Sequence, residues 1–133
     1  MAQPWSGIKC EIEALQEQKR FLEAYRLLEA AASSGLPETA GWLGSYLQLG
    51  LGCEADAPRA RDLYLAAIER GDAVAAYNLG VMYASGTGIL PVDRERAWHF
   101  FERAKSLGFQ FRSDEDFASL VDGCLNRKAD EPR

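Results

Sequence analysis

Asp72-Ala73-Val74-Ala75-Ala76-Tyr77-Asn78-Leu79-Gly80-Val81-Met82-Tyr83-Ala84-Ser85-Gly86-Thr87-Gly88, followed by Asp93, Ala97, Ala104 and Gly108, is the stretch that decides the fold. Ala76, Leu79, Gly80 and Tyr83 fall at helical spacing and form one stripe, with Asp72 placed to cap the first turn. Gly86 and Gly88 break that helix, and Pro91 supports a turn. Asp93 is placed to cap a second helix over 94–107, which Gly108 ends as its C′ residue. Ala97 and Ala104, seven apart, lie on one face and let the first helix approach. The unit reads as a helix–turn–helix hairpin.

The same pattern stands one period earlier: Leu43-Gly44, Gly50-Leu51-Gly52, Asp56, Ala60, Ala67 and Gly71. A third, partial copy precedes it in Ala24, Ala31 and Gly35. A period within roughly 20–50 residues marks a solenoid, in which each unit buries its apolar face against its neighbours. A glycine inside a helix costs about 1 kcal/mol relative to alanine. Its recurrence at Gly44 and Gly80 therefore points to close helix–helix approach. The flanks read as helices too. Ile8, Ile12 and Leu15 share a face over residues 8–18, an amphipathic stand-in for the first half of the partial copy. Ser113-Asp114-Glu115-Asp116 opens a stretch with Phe117, Leu120, Val121, Cys124 and Leu125 at helical spacing, which reads as a cap over the last repeat.

These residues resemble the Sel-one-like repeat family, a relative of the tetratricopeptide repeat. The match is strong over 73–108 and good over 37–71, and it keeps only the second-helix half near residues 20–35. Arg20 stands where the family has aspartate. One extra residue lies within 88–93, and Ser45-Tyr46-Leu47 replaces the usual stretch after the helical glycine. The resemblance implies an all-α fold: a short right-handed α-solenoid of antiparallel helix hairpins with N- and C-terminal capping helices. The expected organisation is a single domain, with a degenerate repeat at 8–35, repeats at 37–71 and 73–108, and a capping helix at 113–128. In the tetratricopeptide arrangement the first helices of the hairpins line a concave groove. Carried onto this chain, that picks Val74, Tyr77, Val81 and Ser85, and one period earlier Glu38, Gly41, Ser45 and Leu49. The partner-binding residues expected on the concave face are Trp42, Ser45, Gln48, Tyr77 and Val81, with Trp42 and Tyr77 as aromatic anchors.

Composition fits a globular chain: of 133 residues, 47% are hydrophobic and 26% charged. No apolar run approaches the roughly 18 residues of a membrane span. The start, Met1-Ala2-Gln3-Pro4-Trp5, lacks a basic n-region and an apolar h-region, so the expected location is cytoplasmic. The net charge of −5 and the lack of clustered Lys and Arg argue against nucleic acid. The acidity suits a basic partner protein and equally serves solubility. Lys19, Arg20, Arg94 and Arg96 alternate with Glu17, Glu23 and Glu95, which reads as solvated helix faces bearing i,i+4 pairs.

Chemistry is sparse. The one histidine, His99, reads as a helix-surface residue rather than a base or ligand. Cys10, Cys53 and Cys124 lack metal-ligand spacing, so no metal site is expected. Cys10 and Cys124 read as small core residues, and Cys53 as a loop thiol that reacts if exposed. No catalytic residue, cofactor or small-molecule substrate is expected. The chain reads as a protein–protein interaction module, not an enzyme. Its alternative role is that of a stoichiometric inhibitor, as bacterial immunity proteins are toward toxins.

Overall fold

The computed structural model describes residues 5–86 and 90–111. The expected capping helix at 113–128, Cys124 and the C-terminal tail lie outside the described residues. Six helices follow in order: α1 (Trp5–Glu17), α2 (Phe21–Ser33), α3 (Thr39–Leu49), α4 (Ala57–Glu69), α5 (Ala73–Ser85) and α6 (Arg94–Ser106). No strand occurs among the described residues, so the fold is all-α as the repeat predicts. The chain divides into two compact units, one ending at Ala67 and the other beginning at Ile68.

In the first unit, α1 takes the place of the missing first helix of the degenerate repeat. It starts three residues earlier than the sequence pattern indicates, at Trp5. Ile8 and Ile12 are buried on its inner side. Trp5 meets Trp42 of α3 edge to face, with ring centroids 5.7 Å apart. Gln16 donates 2.7 Å to the hydroxyl of Tyr46. Tyr46 belongs to the segment that departs from the family pattern, and it stands where the next repeat has Met82. The departure thus gives α3 a polar tip for holding the substitute helix α1. At 1% exposure the Tyr46 phenol is buried, and that desolvation pushes its pKa above the ordinary tyrosine value. On α2, the neighbouring Glu29 and burial push the Tyr25 phenol above the ordinary tyrosine value, with Arg59 of α4 acting in the opposite direction.

Within the α3–α4 hairpin the helices run antiparallel. The N–H of Asp56 donates 2.8 Å to the Leu47 carbonyl at the end of α3. The Asp56 carboxylate then accepts from Arg59 N–H at 3.1 Å, capping α4. Deeper in, Gly44 faces the buried ring of Tyr64. A Cβ at Gly44 would stand 2.9 Å from Tyr64 Cε1, so the glycine is there for close approach. The loop between the helices reaches back to α2. A Cβ on Gly52 would lie 2.2 Å from the Phe21 carbonyl oxygen, well inside the carbon–oxygen contact distance.

The second unit repeats this geometry between α5 and α6. Asp72 caps α5 by accepting from Ala75 N–H at 3.1 Å, and Asp93 caps α6 by accepting from Arg96 N–H at 3.1 Å. The Asp93 N–H donates 2.9 Å to the Tyr83 carbonyl, the counterpart of the Asp56–Leu47 bond. The extra residue in 88–93 therefore leaves the hairpin closure unchanged. Gly80 faces Phe101 as Gly44 faces Tyr64: an added Cβ would lie 2.8 Å from Phe101 Cδ1 and Cε1. The core is Ala75, Ala76, Leu79, Met82, Ala97, Phe101 and Ala104, with Tyr83 at 7% exposure beside it. Tyr83 stacks on Phe100, and Arg96 Cζ lies 5.8 Å from the Tyr83 ring centroid. Helix α6 ends in a Schellman motif: Gly108 N–H donates to Lys105 O at 3.1 Å and Phe109 N–H to Ala104 O at 2.9 Å. Gly108 adopts φ +101 there, a conformation that favours glycine.

Three expectations need correction. Cys10 is exposed, because it sits two residues from both Ile8 and Ile12 and so falls on the opposite side of α1. Arg20 pairs with Glu23 and Arg96 with Asp93 at i,i+3 rather than i,i+4, and Arg61 with the adjacent Asp62. Arg94 is half-buried rather than part of a solvated face.

Candidate partner-binding surface

Hairpin packing consumes one side of α3 and α5 and leaves the other to solvent. On α3, Leu43, Gly44, Tyr46 and Leu47 are buried, while Gly41, Trp42, Ser45 and Gln48 are half-buried and Leu49 is 65% exposed. On α5, Ala75, Ala76, Leu79, Gly80, Met82 and Tyr83 are buried. Val74 is 56% exposed, Ser85 is exposed, and Tyr77 and Val81 are half-buried.

The five expected residues are held in different ways. Trp42 is braced by Trp5, and Lys9 Nζ lies 5.9 Å from its ring centroid. Ser45 and Gln48 both face Tyr64 of α4. The Tyr64 hydroxyl lies 2.5 Å from Gln48 Oε1 and 3.1 Å from Ser45 Oγ, and the Ser45 hydroxyl is 3.2 Å from the Gly41 carbonyl. These two side chains are therefore pre-oriented by the hairpin itself. Tyr77 stacks on Phe109 at 4.4 Å and 7°, and also neighbours Phe101 at 5.7 Å and Phe111 at 6.0 Å. Sequence reasoning missed Phe109 and Phe111 as its supports. Their alternation directly after Gly108 was the available signal. Trp42, Ser45 and Gln48 share the first unit; Tyr77 and Val81 belong to the second.

The chemistry-bearing residues stand elsewhere. His99 is exposed on α6 with its ring 5.5 Å from that of half-buried Trp98. Cys53 is half-buried, and its thiol donates to the Tyr46 carbonyl at 3.6 Å. Burial pushes the Cys53 thiol up, and the Glu29 carboxylate adds to the shift. That is the opposite of an activated thiol. Among the described residues no helix is long and apolar enough to cross a membrane.

Comparison with known proteins follows the same geometry. The Sel1 repeat model matches residues 19–36, 38–72 and 73–109. The chain is 42% identical over 55 residues to cytochrome c oxidase assembly factor 7A of Xenopus laevis, a stretch covering 41% of this chain and 24% of that protein. It is 32% identical over 88 residues to the ERAD-associated E3 ubiquitin-protein ligase component HRD3B of Arabidopsis thaliana, covering 66% of this chain and 14% of that one. It thus spans about a quarter or less of these curated relatives. Among solved structures, a Sel1 repeat protein from Oxalobacter formigenes superposes with TM-score 0.62 at 29% identity, over 73% of this chain and 40% of that one. A protective antigen of uropathogenic Escherichia coli with an SLR fold superposes with TM-score 0.59 at 21% identity, over 80% of this chain and 25% of that one, a likeness of fold alone. With three matched repeats, two of them complete helix hairpins closed by the same glycine–aromatic and aspartate–carbonyl contacts, the chain belongs to the Sel1 repeat family.

Proposed function

We propose that the chain is a protein–protein interaction module without catalysis, and that it receives partners on the open faces of α3 and α5, the faces taken as its concave repeat surface. The observation that carries this reading is the residue of apolar surface left once hairpin packing is complete. In the first unit Leu49 stays 65% exposed and Trp42 is half-buried on α3; in the second Val74 stays 56% exposed and Tyr77 and Val81 are half-buried on α5. Apolar side chains left exposed along one face of a helix are a usual mark of a contact surface. Aromatic rings already held by neighbours, as Trp42 by Trp5 and Tyr77 by Phe109, lose little freedom on binding. That one relative is named as a component of a ligase assembly agrees with an adaptor role.

The test uses substitutions that spare the packing. Because Tyr77 and Trp42 also support their own units, Leu49→Asp and Val74→Asp are the cleaner probes. Partners captured by the wild-type chain and confirmed with purified components should bind one or both variants at least about tenfold more weakly, a loss of roughly 1.4 kcal/mol. Helicity by circular dichroism should be unchanged. Full retention of partner by both variants refutes the surface assignment.

A further inference from the structure

We draw no further inference here: the strongest candidate, the half-buried aromatic cluster of Tyr77, Phe109 and Phe111 where the chain leaves α6 beside α5, carries nothing because nothing in the structure shows what covers it.

Discussion

Gly80→Ala is the sharpest test of how the hairpins are held. In an ordinary helix this change stabilises by about 1 kcal/mol, because alanine restricts the unfolded chain and favours the helix. Here the new Cβ would stand 2.8 Å from two carbons of the Phe101 ring and 3.3 Å from the Ala97 carbonyl oxygen. That is about 0.7 Å short of the separation at which carbon pairs settle. The ring has little room to retreat: Phe101 is 1% exposed, and the Tyr77 ring lies 5.7 Å away. Overpacking of this kind costs about 1–3 kcal/mol, so the propensity gain is cancelled and a net loss of about 1 kcal/mol remains. Gly80→Val adds branching against the same ring and should lose about 3 kcal/mol. Denaturant unfolding followed by circular dichroism reads both. In a Phe101→Leu background, Gly80→Ala should become neutral or stabilising, and that non-additivity isolates the contact. Gly108→Ala is the control. Its Cβ would meet nothing within 4 Å, but φ +101 still costs about 1 kcal/mol, independently of Phe101. A rise in stability for Gly80→Ala in the wild-type background would refute the packing argument.

Gln16→Leu should destabilise the first unit by about 1–3 kcal/mol, since it strands the buried Tyr46 hydroxyl, while Tyr46→Phe should cost about 0.5–1.5 kcal/mol in a parallel unfolding measurement. The raised Tyr46 pKa gives a pH signature: stability is intact below the ordinary tyrosine value of about 10 and falls above it, where unfolded tyrosine ionises and the folded phenol still holds its proton, and this component is absent in Tyr46→Phe. In a Cys124→Ser variant, a thiol reagent should label exposed Cys10 quickly and Cys53 slowly. Glu29→Gln should speed Cys53, because removing that carboxylate lowers the thiol pKa; equal rates for both cysteines would refute the burial reading.

The hairpins were legible because helix stops, caps and small packing positions recur at a period. Asp72, Asp93, Gly44, Gly80 and Gly108 all act as their spacing implies. What spacing could not supply was the identity of the opposing groups. That Gly44 needs Tyr64 and Gly80 needs Phe101 follows only from the antiparallel pairing of two helices. Cys10 was misjudged because a small apolar residue near an apolar stripe was assigned inward, whereas its two-residue offset from Ile8 and Ile12 places it outward. The role of Tyr46 was hidden for a different reason. Its partner Gln16 lies thirty residues away, in a helix that has no counterpart in the repeat pattern. On α3 and α5, helical spacing marked Leu43, Gly44, Leu79, Gly80 and Tyr83 as the buried stripe. It could not show that Ser45 and Gln48 are engaged by Tyr64, a long-range polar contact with no local signal.

The bond from each capping aspartate to the carbonyl near the end of the preceding helix acts as a fastener that is indifferent to what it encloses. Asp56 reaches Leu47 across nine positions and Asp93 reaches Tyr83 across ten, with nearly the same hydrogen-bond length, 2.8 and 2.9 Å. The two loops are nevertheless unequal as engineering sites. Gly52 lies hard against the backbone of Phe21, so rewriting the first loop would wedge α2 away. The second already carries one residue more than its counterpart, so an epitope, a fluorophore or a short graft placed between Gly86 and Asp93 would leave the frame of its hairpin in register.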